Sequence, residues 1–341
     1  MDVEKDFVIN GIKIEKGERK QLEIIIAKLY DYTDITIPVE VIRGKENGPV
    51  MFVSGAIHGD EINGVETIKR LLSRKKILSS IKGTLVAVPV VNVFGFNRNV
   101  RYLPDRRDLN RTFPGSKNGS LASRIAHIFM KEIVMKCQYG IDLHTGSAHR
   151  FNLPQIRGYL DNPEVEKLAK AFGVPVILHS NMRDGSLREA AFEKGINILL
   201  FEGGEALRYD EKIISSAENG IIAVMCEIGM LDKKLVRSRL PKSREVFRAG
   251  SSHWVRAPIS GSLQAKKKIG NKVNKDQVLG IISNPFGTEK VYVKARKTGI
   301  IIGITMMPLV SNGDALFHVA TFDDARAVAE EVIYFEEDLE Q

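Results

Sequence analysis

Along the first 230 residues two rhythms of apolar positions alternate. Short unbroken apolar runs end in polar or glycine-rich turns, and most are followed by stretches with apolar residues three and four apart. The pattern predicts strands over 21–30 and 35–43, separated by the Asp31-Tyr32-Thr33-Asp34 turn, and a buried strand over 49–54. Val65 to Leu78 reads as a helix ending in a basic cluster, which suits a helix C-terminus. Gly83 to Val91 is a fully apolar strand, expected near the sheet centre. Helices follow over 121–135, 163–172, 187–194 and 210–231, interleaved with strands at 139–143, 174–178 and 196–201. This alternation predicts an α/β fold with a mixed sheet flanked by helices. One stretch breaks the rhythm. Residues 92–119 are polar, rich in Asn, Asp and Arg, and predicted to lack helix or strand; a segment of that kind in a compact domain is usually functional.

The pattern changes after about residue 232. Lys233 to Arg248 is basic and aperiodic and reads as a linker; beyond it, short strands punctuated by glycine predict a small all-β module. The expected organisation is a catalytic domain over 1–245, a separate β module over 246–322 and an acidic C-terminal tail over 323–341.

Composition narrows the class. At 341 residues, with 43% hydrophobic and 27% charged positions, the chain can bury a sizeable core in the manner of a globular protein. No apolar run approaches the ~18 residues of a membrane span, so no membrane association is expected. The first twenty residues are charged and lack an apolar signal core, which predicts a cytoplasmic protein. Cys137 and Cys226, both in apolar surroundings, read as buried reduced thiols. The formal charge of +8 is unevenly placed: residues 323–341 carry −7, leaving +15 on the rest. A basic body suits an anionic partner. No recognition helix, zinc finger or aromatic-basic motif is present, so a small anionic substrate is expected rather than nucleic acid. A homo-oligomer is left open.

The chemistry concentrates at strand ends. Gly55-Ala56-Ile57-His58-Gly59-Asp60-Glu61-Ile62-Asn63-Gly64 joins the 49–54 strand to the next helix, and its glycines are expected to let the backbone bend sharply. His58 and Glu61, three apart on that turn, can close on one divalent metal, but a catalytic zinc needs a third protein ligand and an open position. The candidate is His144, where another apolar strand ends in Asp142-Leu143-His144-Thr145-Gly146. One zinc ion per chain is therefore expected on His58, Glu61 and His144. His149 and Arg150 follow that turn and are candidates to line the pocket.

The set His58-x-x-Glu61, Asp108-Leu109-Asn110-Arg111, Asp142-Leu143-His144 and Glu202-Gly203-Gly204 resembles the succinylglutamate desuccinylase/aspartoacylase family, within the zinc carboxypeptidase superfamily, over about residues 15–320. The resemblance implies a zinc-carboxypeptidase-like sheet. It implies that Asn110 and Arg111 hold a substrate carboxylate, with Arg101 in the same loop. Asp108 and Asp142 would orient the zinc-bound imidazoles, and Glu202 would be the catalytic carboxylate. Residues 257–314 resemble the lipoyl/biotinyl-like barrel-sandwich module. The turn over 283–290 lacks the pattern that flanks a carrier lysine, so no attached cofactor is expected and a role in narrowing the pocket is.

The resulting expectation is a zinc-dependent hydrolase that cleaves the amide bond of an N-acyl amino acid or a related small carboxylate-bearing amide. Its rivals are a zinc carboxypeptidase acting on short peptides and a non-catalytic metal-binding regulatory protein. Which side of the scissile bond bears the carboxylate separates the two enzymes.

Overall fold

The computed structural model describes residues 6–180, 184–240 and 245–339. A small hairpin of β1 (Phe7–Ile9) and β2 (Ile12–Ile14) precedes two long antiparallel strands, β3 (Arg19–Lys28) and β4 (Asp34–Arg43). Next come β5 (Val50–Gly55), helices α1 (Asn63–Ser73) and α2 (Lys75–Leu78), β6 (Thr84–Val88) and α3 (Val93–Arg98). The chain continues through α4 (Leu121–Glu132), β7 (Tyr139–Gly146), β8 (Arg150–Gly158), α5 (Pro163–Phe172) and β9 (Val176–His179). It then forms α6 (Leu187–Glu193), β10 (Asn197–Glu205) and α7 (Glu211–Glu227).

Strands β6, β5, β7 and β10 lie side by side in parallel, with β4 antiparallel to β6 at one flank and β8 antiparallel to β10 at the other. β6 is buried throughout and β5 at all but its first residue, as their unbroken apolar runs require. One face of the sheet packs on α1, α5 and α7 through Ile68, Leu71, Leu168, Phe172 and Ile221. The other packs on α4 and α6 through Ile125, Phe129, Leu187 and Ala190. The fold is thus α/β with a mixed sheet between helical layers. Cys137 and Cys226 are buried and free, and burial pushes both thiols up in pKa.

Four features go beyond the sequence pattern. First, the 92–119 segment holds α3, capped by the Asn92 side chain accepting from Gly95 N at 2.8 Å, and a single 3-10 turn at Leu109–Arg111, capped by Asp108. Side-chain caps stabilise these short turns where apolar periodicity is absent. Second, β8 was not anticipated. Its sequence mixes Asn152, Pro154, Gln155 and Arg157 into the apolar positions, and proline argues against a central strand. Here β10 pairs Gly204 with Asn152 and Glu202 with Gln155, so Leu153 and Pro154 together oppose Gly203 alone. Proline is tolerated in that bulge because no ladder donor is required there.

Third, the C-terminal strands have a core cluster of their own, around Val255, Leu279, Val293 and Phe317, and are joined to the main sheet. They are β11 (Phe247–Ala249), β12 (Ser251–Arg256), β13 (Gly261–Ala265), β14 (Lys272–Val273), β15 (Val278–Ser283), β16 (Lys290–Lys294), β17 (Gly299–Thr305), β18 (Leu309–Val310) and β19 (Ala315–Thr321). β17 is hydrogen-bonded to β8, so β17, β19 and β12 extend the main sheet, while β16, β15, β13 and β18 form a second sheet. β11, within the segment read as linker, pairs with β9; residues 241–244 of that segment lie outside the described residues. Fourth, the acidic 323–341 segment read as a tail contains α8 (Ala325–Asp338). Its buried Ala325, Val328 and Val332 join a cluster with Ile300, Ile302 and Ala320. Its acids occupy the solvent face of an amphipathic helix.

Candidate active site

The parallel strands β5, β7 and β10 end on one edge of the sheet, where the topology opens a crevice for ligands. His58 and Glu61 follow β5, His144 closes β7, and Glu202 is the Cα partner of His144 across the β7–β10 pair. The left-handed backbone of this connection falls at Ala56, whose φ is +48°, and Gly59 sits in the turn closed by Glu61 N on the His58 carbonyl. Gly59 and Gly64 also allow close approach. A Cβ on Gly59 would sit 2.0 Å from the Gly95 carbonyl carbon in α3, and one on Gly64 would sit 2.8 Å from Leu143 Cβ. Gly59→Ala is therefore expected to cost about 1–3 kcal/mol through overpacking, because only backbone can yield. A thermal melt would show the loss, and metal titration would show weakened binding through displacement of the turn.

The metal-binding expectation meets a matching geometry. His58 Nδ1 lies 2.8 Å from Glu61 Oε1, and His144 Nδ1 lies 2.7 Å from Glu61 Oε2. The three donor groups fall within 4.8 Å of one another and are buried. Behind them, His58 Nε2 is 3.1 Å from Asp108 Oδ1 and His144 Nε2 is 2.7 Å from Asp142 Oδ2. Asp142 is itself held by Ser54 Oγ at 2.8 Å. With a cation bound, the carboxylate behind each imidazole would hold the proton on Nε2 and leave the Nδ1 lone pair for the metal, the tautomer a ligand needs. Three carboxylates, Glu61, Asp108 and Asp142, converge here against one guanidinium, that of Arg101. Burial opposes charge on both imidazoles, yet Glu61 and Asp108 around His58, and Asp142 and Glu61 around His144, raise both pKa values. Burial likewise pushes Glu61 up, but the two imidazoles hold it well below the usual carboxylate range. The three carboxylates outnumber the one permanent cation, and two imidazoles with a carboxylate form a donor set that fits a divalent cation.

A cavity of about 800 Å³ opens onto this cluster. Arg101 lines it, but its guanidinium is engaged by Glu61 Oε1 at 3.1 Å and Asp108 Oδ2 at 3.0 Å. Asn110 lines it too; its Oδ1 accepts from Leu187 N at 2.9 Å and so anchors the start of α6. Arg111 lines the cavity with one nitrogen bonded to the Asn110 carbonyl. Arg106 and Arg107 are exposed and outside it. Glu202 reaches the cavity and is bound by Asn152 Nδ2 at 2.7 Å and Arg157 Nη2 at 3.1 Å, both on Oε2. Glu205 instead accepts from His149 N at 3.0 Å and does not line the cavity. Sequence reading missed Asn152, Arg157 and Arg188, together with Trp254, which β12 brings in from the C-terminal half. Arg150 lies over the Trp254 ring at 5.5 Å from the centroid, and Trp254 stacks on His318 at 4.7 Å. Burial first, and then Arg157 and His253, push the His318 pKa down to about 3, so it packs as a neutral ring.

The sequence pattern of the succinylglutamate desuccinylase/aspartoacylase catalytic domain matches residues 47–228, which carry the whole His58–Glu61–His144 cluster and Glu202. The chain belongs to the succinylglutamate desuccinylase/aspartoacylase family. As a member it is a deacylase, a hydrolase of amide bonds. It is 26% identical over 299 residues to the N-alpha-acetyl-L-2,4-diaminobutyric acid deacetylase of Halomonas elongata, covering 84% of this chain and 86% of that protein. Two solved structures share the fold. The product-bound ectoine utilization protein EutE (DoeB) of Ruegeria pomeroyi has a TM-score of 0.79 at 23% identity, over 89% of this chain and 94% of that one. The succinylglutamate desuccinylase/aspartoacylase of Rhodobacter sphaeroides has a TM-score of 0.78 at 22% identity, over 89% and 96%. Among the described residues no helix is long and apolar enough to cross a membrane.

Proposed function

We propose that this family member is a zinc-dependent deacylase that hydrolyses the N-acyl bond of a small N-acylated amino acid, with residues 1–245 carrying the chemistry and the C-terminal strands closing one wall. His58, Glu61 and His144 would hold the zinc, oriented by Asp108 and Asp142. Zinc there would supply Lewis acidity toward the scissile carbonyl and toward water. The observation that carries the reading is the pairing of that buried donor set with a carboxylate, Glu202, on the adjacent strand of the same cavity.

The chain's own groups divide the work. Arg111 presents a planar fork suited to the substrate carboxylate, and Asn110 fixes the turn that aims it. With Glu202 Oε2 held by Asn152 and Arg157, Oε1 takes the proton of the attacking water and delivers it to the amide nitrogen. The C–N bond breaks, leaving a carboxylate and an amine. Trp254, with Arg150 against its face, bounds the substrate side of the cavity and limits its size.

A panel of N-acyl amino acids and short peptides, assayed with metal analysis, tests this reading. Release of the free acyl acid from the N-acyl compounds supports a deacylase. Release of a C-terminal amino acid from peptides alone would make it a carboxypeptidase, and no turnover of either by zinc-loaded protein would refute the enzyme assignment. Arg111→Ala is expected to lower kcat/KM on carboxylate-bearing substrates by roughly 10- to 150-fold, the loss of a charge-assisted hydrogen bond. Equal losses on an amide analogue lacking the carboxylate would show that Arg111 does not bind it.

A further inference from the structure

The carboxylate of a glutamate rotates about a broad terminal torsion, so a glutamate that moves protons needs something to fix which oxygen faces the substrate. Both contacts to Glu202 fall on one atom, Oε2: the Asn152 amide at 2.7 Å and the Arg157 guanidinium at 3.1 Å. A carboxylate oxygen only accepts, so the amide nitrogen of Asn152 must be the atom that faces it. We infer that Asn152 and Arg157 are positioning residues that clamp Glu202 by Oε2 and so present Oε1 to the substrate, and that Gly303 of β17 makes the clamp possible. The inference rests on the proposed role of Glu202 in proton transfer.

The local backbone supports it. In a regular strand, Asn152 and Arg157 are five apart and would point to opposite faces of the sheet. The β8 bulge at Leu153–Pro154 adds one residue opposite Gly203 and brings Asn152 onto the face of Gln155, the cross-strand partner of Glu202. Arg157 pairs across the ladder with Leu200, which lines the cavity beside Glu202. On the other side of β8, Asn152 pairs with Gly303. A Cβ there would lie 2.9 Å from Asn152 Oδ1 and 3.1 Å from His318 Cβ, so only glycine leaves the carboxamide its place. Asn152 is buried, only 6% exposed, which restricts the motion of its carboxamide at the cavity wall. The C-terminal strands thereby act on the reacting carboxylate without touching the substrate through β17.

The test is a double-mutant cycle on the zinc-loaded, full-length enzyme, with kcat, KM and metal content read for each variant. Asn152→Ala and Arg157→Met should each lower kcat by about tenfold or more, since a misplaced catalytic group is costly. KM and metal content should change little, and Arg157→Lys should recover part of the rate. In a Glu202→Gln background the same substitutions should cost less than about twofold further, because groups that act as one unit are not additive. A residue with a merely structural role would cost as much in both backgrounds, and that result overturns the inference. So do single variants with unchanged kcat alongside an inactive Glu202→Gln. If Glu202→Gln itself turns over normally, the proton-transfer assignment fails and takes the clamp with it. Should Asn152→Ala fold poorly, Asn152→Asp keeps the volume, removes the donor and sets like charge against Glu202; it should lower kcat at least as far.

Discussion

Glu202→Gln is expected to lower kcat by at least about a hundredfold, the lower end of what a positioned general base contributes. The substitution keeps the shape and removes the proton acceptor. Glu202 is not among the three metal-donor groups, so bound metal should stay near one equivalent per chain. Its position makes the expectation specific. Glu202 is aligned with His144 on the neighbouring parallel strand, and it opens onto the same cavity as both histidines. Glu205, three residues on, is the only other acid of that turn, but its carboxylate is tied to the His149 backbone amide beyond the Gly203–Gly204 bulge. The measurement is kcat for both glutamine variants, with metal content and substrate affinity as controls. A Glu202→Gln enzyme that still binds an intact N-acyl amino acid but fails to cleave it fits the assignment. Near-normal turnover there, with an inactive Glu205→Gln, would move the role to Glu205.

The parts of this site that were legible in the sequence are those whose physical signal is local. The apolar runs of β5, β7 and β10 are largely buried, and the site residues lie in or just after the C-terminal part of each strand. The positions of His58, Glu61, His144 and Glu202 toward the C-terminal ends of their strands are therefore legible in the sequence. What escaped has a non-local cause. β8 hides because its polar side chains serve the cavity, breaking the apolar pattern that would reveal a strand, and because a bulge accommodates Pro154. α3 hides because side-chain capping and contact with Gly59 hold a six-residue helix that has little periodicity of its own. In the metal turn Gly59 both sits in the turn and lets two backbones meet, while Gly64 lies close against Leu143; glycine in a sequence signals either use, and only the packing partner shows the second. The change in composition near residue 246 reflects shorter strands and tighter turns, yet hydrogen bonding between β8 and β17 runs straight across it.

His144→Ala is expected to remove most of the metal and with it the activity. The argument begins with what the side chain leaves behind. His144 is 4% exposed, its Nδ1 faces Glu61 and its Nε2 is fixed by Asp142. Truncation removes one of three donors, and a two-donor remnant cannot hold a structured zinc site with an open position. It also removes the imidazole between Asp142 and Glu61, leaving Asp142 with Ser54 and Glu61 with His58 and Arg101 as the remaining compensation for two buried charges. Asp142→Asn separates the two effects. It keeps His144 and all three donor groups but weakens the acceptor behind Nε2, and loss of such a partner typically costs about 10- to 100-fold in metal affinity or activity. Metal titration followed by elemental analysis should therefore order the proteins: unaltered chain with close to one zinc, Asp142→Asn weaker but saturable, His144→Ala largely empty. Full zinc retention in His144→Ala would place the ion elsewhere and remove the basis for assigning His58, Glu61 and His144 as its ligands. A saturable Asp142→Asn protein with depressed turnover would show that the carboxylate acts through the imidazole it orients, since Asp142 itself does not line the cavity.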